Sequence, residues 1–148
     1  MENLFDKYGK EYKKGDYIFY DGDDGDNMFI LLSGVVDIIK GEEDNERVIA
    51  TLHKGNFFGE MSILNNRVRS ATVKVSSETA RMLVLNKSRF RSMIIGDTTI
   101  AIRMLEELSD RLFNANSTIE NLLFRNSILE ERNKELSEKL AKKEIKIY

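Results

Sequence analysis

The stretch Phe57–Val73, FFGEMSILNNRVRSATV, holds the residues best suited to chemistry. Glu60 follows Gly59 and stands nine residues ahead of Arg69, and Ser70 comes directly after the arginine. By charge alone, Glu60 and Arg69 could be a structural ion pair on the edge of a β-sandwich. Three features favour a small anionic ligand instead. Gly59 removes a side chain where backbone must approach something closely. Met61–Leu64 fits a short helical turn whose first amides could face an anion. Arginine offers a planar fork that meets phosphate bidentately, which lysine does not. On that reading Arg69 meets a phosphate, Glu60 accepts hydrogen bonds from hydroxyl groups, and backbone supplies the remaining donors. The chemistry is binding rather than catalysis.

Other chemistries fall away. The sequence has no cysteine, which excludes disulfides, thiolate metal sites, iron–sulfur clusters and cysteine nucleophiles. His53 is the only histidine, so neither a cupin-type metal site nor a catalytic triad can be assembled. Asp21–Asp26, DGDDGD, looks like a calcium loop but lacks glycine at its sixth place and glutamate at its twelfth. It reads as a turn. No metal and no cofactor are expected.

The elements that must position Glu60 and Arg69 are short strands. Mixed residues at Met1–Lys10 suggest one turn of helix, followed by a first strand near Tyr12. Further strands are expected at Tyr17–Tyr20, Met28–Leu32, Val35–Ile39, Arg47–Leu52, Ala71–Val75 and Met82–Leu85. Glycine-rich turns separate them, Gly41–Glu46 reads as a charged hairpin tip, and a Ser/Glu/Thr turn precedes Met82. With no proline in the chain, glycine, asparagine and aspartate must make every turn. Such strands at regular spacing indicate a sandwich or barrel.

After Leu85 the period changes. Asn86–Met93 reads as a short helix, Gly96-Asp97-Thr98 as a break and N-cap, and a helix is expected from Ile100 onward. Leu105, Leu108, Leu112, Ala115, Ile119, Leu122, Asn126, Leu129, Asn133, Leu136 and Leu140 recur by threes and fours, as the a and d positions of a coiled coil. Asn126 and Asn133 fall at a. Paired asparagines satisfy each other across a parallel two-stranded seam and are costly opposite leucine. Arg125–Glu130 and Lys139–Glu144 are attractive interchain pairs in that arrangement, though exposed pairs contribute little. Lys142, Lys143 and Lys146 read as a solvated basic tip. The fold expected is therefore mainly β plus α: a β-sandwich or barrel over 1–96 with short flanking helices, and a long C-terminal dimerisation helix over 97–148.

The totals mark a soluble globular protein with a charged surface. With 148 residues, 41% of them hydrophobic and 32% charged, the chain can bury a core and present a charged surface. A net charge of -2 gives no general pull toward nucleic acid or acidic membranes. No apolar run approaches the ~20 residues of a membrane helix, and Met1–Tyr17 lacks the apolar core of a signal peptide. A cytoplasmic location is expected.

Phe58-Gly59-Glu60 and Arg69-Ser70-Ala71-Thr72-Val73, at this spacing, resemble the phosphate-binding cassette of cyclic nucleotide-binding domains. Lys14–Phe19, Gly22, Gly25-Asp26, Phe29-Ile30 and Ser33-Gly34-Val35 are similar to the family's early strands and turns. The likeness covers Tyr12 to Asn121. It implies that 1–96 form a jelly-roll-like β-roll that binds cAMP or cGMP, in which Glu60 accepts from the ribose 2'-hydroxyl and Arg69 pairs with the cyclic phosphate. Gly59, Ser62 and Ser70 would donate to that phosphate, and Met61 and Ala71 complete the cassette. Val68 stands where proline is common and Ser62 where alanine is common. Serine after the arginine is more typical of bacterial cAMP binders than of threonine-bearing cGMP kinases, which favours cAMP. In this family the long helix meets the base, and Asn116 falls near that place; it also reads as solvated surface.

The resemblance implies a homodimeric, non-enzymatic sensor, with the distal coil free to meet an unidentified downstream protein partner. The alternative is the effector domain of a catabolite-activator-type transcription regulator, lacking its DNA-binding domain or truncated before it. There a helix-turn-helix follows the dimer helix; here the heptads run on instead, so direct DNA binding by this chain is not expected. A scaffold with a vestigial pocket would not need both Glu60 and Arg69.

Overall fold

In the computed structural model, which describes residues 2–41 and 45–144, eight strands form two antiparallel sheets of four. The first sheet runs in the order β1 (Gly9–Lys13), β8 (Thr79–Asn86), β3 (Asn27–Ser33), β6 (Phe57–Phe58). The second runs β2 (Tyr17–Phe19), β7 (Thr72–Val75), β4 (Val36–Lys40), β5 (Arg47–Leu52). Between them lies one core. Phe29, Leu31, Ala80 and Met82 meet Val36, Leu52, Val73 and Val75, with Phe58 beside them. Leu31 and Met82 are wholly enclosed; burying a side chain of that size contributes roughly 1.5–3 kcal/mol.

The two sheets differ on their outer faces, and the sequence pattern follows. Helices cover the first: α1 (Glu2–Tyr8) and α3 (Lys87–Gly96) pack on β8, and α2 (Glu60–Asn65) packs on β3. A strand buried on both sides reads as a continuous apolar run rather than an alternating one. That is why Met28, on the face opposite Phe29, is as buried as Leu31. The second sheet instead turns Tyr17, Lys74, Asp37 and Thr51 outward in cross-strand register. Lys74 Nζ donates to the Tyr17 hydroxyl at 3.1 Å, and Thr51 Oγ1 to Asp37 Oδ1 at 2.8 Å.

Local rules place the helices. Asn86 caps α3 by accepting from the Arg89 amide at 2.9 Å. α3 ends at Gly96, and α4 begins at Thr98 and runs to Glu144. Asp97 between them accepts from the Thr99 amide. The chain divides into two compact units, Met1–Met104 and Leu105–Tyr148.

The β-roll with flanking helices and long final helix is the expected architecture. Its details shift in three places. β6 has two residues and was not anticipated as a strand; its pairing, Phe29 opposite Phe58 and Ile30 opposite Phe57, is too short to leave a period. β8 starts at Thr79, inside the stretch read as a turn, because Thr79–Arg81 pairs with Lys13–Glu11 and buries Ala80. β1 begins at Gly9, directly after α1. Residues 42–44 of the hairpin tip, and the Lys143, Glu144 and Lys146 side chains, lie outside the described residues.

Candidate functional site

Short elements bring Arg69 to the edge of the core. β6 leads into Gly59, whose φ of 75° and ψ of 9° place it in the left-handed region at the N-cap of α2. A side chain there is strained, and its Cβ would stand 2.5 Å from Arg69 Nη1. α2 lasts six residues. Asn66, at φ 51°, ends it by donating its amide to the Met61 carbonyl. The chain then passes beside the Asp21–Asp26 turn. There the Gly22 amide donates to the Arg69 carbonyl, and the Arg69 amide to the Asp23 carbonyl, both at 2.8 Å.

The Arg69 side chain is only 6% exposed. Its Nη1 donates to the Gly59 carbonyl at 2.9 Å and to Ser62 Oγ at 2.7 Å. Ser62 Oγ donates in turn to the Gly59 carbonyl at 3.0 Å. The guanidinium carbon sits 4.1 Å from the centre of the Phe19 ring and 5.8 Å from that of Phe29. Gly25 faces it, since a Cβ there would lie 2.3 Å from that carbon. Burial pushes the arginine's pKa down, and Asp26, Asp23 and then Glu60 oppose this electrostatically. Arginine in such surroundings stays charged. One donor is unused: Arg69 Nε is buried with no hydrogen-bond partner.

The structure gathers Gly59, Glu60, Ser62 and Arg69 tightly. Glu60 is 9% exposed and heads α2, whose start has no side-chain cap. Met61 follows it, half-buried, and its sulfur accepts from Ser70 Oγ at 3.6 Å. Ser70 is exposed, and its carbonyl accepts from Lys40 Nζ at 2.9 Å. Ala71 is buried as the chain enters β7. Asn116 lies on α4, in the unit Leu105–Tyr148, with its side chain exposed. His53 is an exposed turn residue whose amide donates to Asn56 Oδ1.

Phe19, Gly25, Asp23 and Asp26 support the arginine, and sequence reasoning did not assign them to it. Their signal was the Asp/Gly density ahead of β3, which reads equally well as a turn. A buried guanidinium with a spare donor, beside an uncapped helix start, can hold an oxyanion.

The chain is similar to known proteins. The family model described as "Cyclic nucleotide-binding domain" matches residues 9–97. cGMP-dependent protein kinase 2 of Homo sapiens is 35% identical over 85 residues, 56% of this chain and 11% of that protein. The cAMP-dependent protein kinase regulatory subunit of Mycosarcoma maydis is 35% identical over 81 residues, 53% of this chain and 15% of that one. The crystal structure of Thermus thermophilus catabolite activator protein superposes with a TM-score of 0.70 at 28% identity, covering 83% of this chain and 58% of that one. The chain thus spans a small fraction of the curated relatives it matches.

Proposed function

The chain belongs to the cyclic nucleotide-binding domain family, and we propose that it is a non-catalytic sensor of a cyclic mononucleotide, cAMP in preference to cGMP. In this reading Arg69 grips the cyclic phosphate, Gly59, Met61, Ser62, Ser70 and Ala71 frame it, and Glu60 accepts from the ribose. Asn116 meets the base from α4. The observation that carries the reading is the buried Arg69 guanidinium with its Nε unpartnered. A buried donor left unsatisfied costs about 1–3 kcal/mol, and a phosphate oxygen would relieve that cost. Serine after Arg69 supports cAMP.

Two copies join through α4 in parallel, and the nucleotide acts by favouring one arrangement of the cassette and the long helix. Coupling of that kind requires different affinity for the two arrangements. The coil beyond Arg125 then offers a surface for a downstream protein. Among the described residues, no helix is long and apolar enough to cross a membrane.

Titration calorimetry with cAMP and cGMP tests the core of this. Saturable heat is expected on the wild type, and Arg69→Ala should weaken binding by roughly 10²–10³-fold, the loss of two charge-assisted hydrogen bonds. No heat with either nucleotide on wild-type protein overturns it. A second reading, favoured by the likeness to catabolite activator protein, makes this chain the sensing part of a transcription regulator. The length of the source gene separates the two.

A further inference from the structure

A groove of about 700 Å³ lies between α1, α3 and the first turns of α4, within the unit Met1–Met104. None of its lining residues belongs to the surroundings of Arg69. Its size is that of a site for a small organic molecule, which spans roughly 300–1,000 Å³. Tyr8, Leu85, Met93 and Ile100 give it an apolar floor. Arg89 and Arg103 stand at its rim. Arg89 stacks on Tyr8, with its guanidinium carbon 4.9 Å from the ring centre. Stacking occupies the flat face of a guanidinium and leaves its in-plane N–H groups as the bonding edge.

The charges do not balance. Among the described residues, no salt bridge engages Arg89 or Arg103. Asp97 is the sole carboxylate in the lining, and its Oδ1 accepts from both the Thr99 amide and the Thr99 hydroxyl. Two guanidiniums against one carboxylate leave one positive charge over an apolar floor.

We propose that this groove binds a small amphiphilic anion, its apolar body lying on Met93 and Ile100 and its oxyanion held by Arg89 and Arg103. A carboxylate and a phosphate monoester share that chemistry. Because the groove joins α3 to the start of α4, an occupant favours arrangements of the two helices that keep it open.

The test is amide-resolved NMR on the full chain, titrated with 1-naphthoate, 1-naphthyl phosphate and the neutral 1-naphthylmethanol. Saturable shifts are expected at Ser88, Ser92 and Thr99 with one or both anions, and the stronger anion identifies the head group. Arg89→Gln and, separately, Arg103→Gln should each weaken binding by about tenfold or more, as for loss of a hydrogen bond to a charged group. Both sit on exposed positions, and the dispersion of each spectrum reports folding. The proposal is overturned by no shift at millimolar anion, by shifts at Gly59 and Ser70 instead, or by equal binding of the neutral alcohol.

Discussion

The surroundings of Arg69 and the seam of α4 solve opposite problems. Around Arg69 one chain supplies the ring of Phe19, the carbonyl of Gly59, the hydroxyl of Ser62 and the acidic turn. A charge is carried into the core, and the same chain makes it tolerable. Along α4 the reverse holds. In the single chain Leu112 is 63% exposed, Leu129 55% and Leu140 64%. Apolar side chains spaced for burial stand in water, which a soluble helix sustains only when something covers them. The surroundings of Arg69 are met within one chain except at its Nε, whereas the α4 leucines are left exposed. That difference separates what one chain folds from what the proposed pairing through α4 would cover.

The largest effect should come from breaking the seam. In the proposed dimer, Leu129→Asp would place a carboxylate at a d position of both strands, losing two buried leucines and burying two charges. A penalty of at least about 4 kcal/mol per dimer, or roughly 10³-fold in dimer Kd, is expected. Light scattering across a dilution series should find monomer where the wild type is dimeric. If the wild type is itself monomeric at high micromolar concentration, the seam has some other occupant and the comparison fails.

The next effect lies on the other side of the comparison. Gly25→Ala would put a Cβ 2.3 Å from the Arg69 guanidinium carbon, the movable end of a long side chain. The arginine should swing away and the fold survive, so thermal stability changes little. Nucleotide affinity should fall by about 100-fold, close to the loss of a bidentate phosphate contact. Unchanged affinity by calorimetry would mean that Gly25 does not set the arginine's position.

How much of this was legible follows from the range of each interaction. Strands, the break at Gly96 and the long helix show in the sequence because period and turn residues are local properties. Gly59, Glu60 and Arg69 were legible because they share one short stretch. Phe19 was not, since its place under Arg69 comes from the register of β2 on β7, Phe19 opposite Val73. Gly25 and Asp26 were hidden for the same reason. Two-residue β6 left no period to read, and β8 reached into an apparent turn because β1 pairs with it. Long-range pairing makes these assignments, and a single sequence records only its local half.

A smaller effect tests whether the two regions meet. Asn116→Ala removes one amide side chain from α4. If Asn116 reads the base, affinity for one nucleotide should drop by about tenfold, the range of one or two neutral hydrogen bonds, while the other changes less. Competition binding with cAMP and cGMP measures that ratio. Equal, negligible change for both assigns Asn116 to solvent, and the base must then be read elsewhere.

The smallest effect concerns how α4 begins. Asp97 accepts from the Thr99 hydroxyl at 2.6 Å and from its amide at 3.0 Å, and these bonds hold its pKa below the ordinary 3.8, with Arg103 adding attraction. A carboxylate depressed in the folded state lends stability above its unfolded pKa and loses it as pH falls through the folded one. The window therefore lies below 3.8. A carbon-detected NMR titration should place the Asp97 midpoint beneath that value. Wild type and Asp97→Ala should differ in thermal midpoint at neutral pH and converge in strong acid, where the wild-type cap is protonated. A gap of the same size at both extremes would show that the charged cap is not what starts the helix. In that case even the first turn of α4 would depend on packing, and its self-sufficient part would shrink toward the roll.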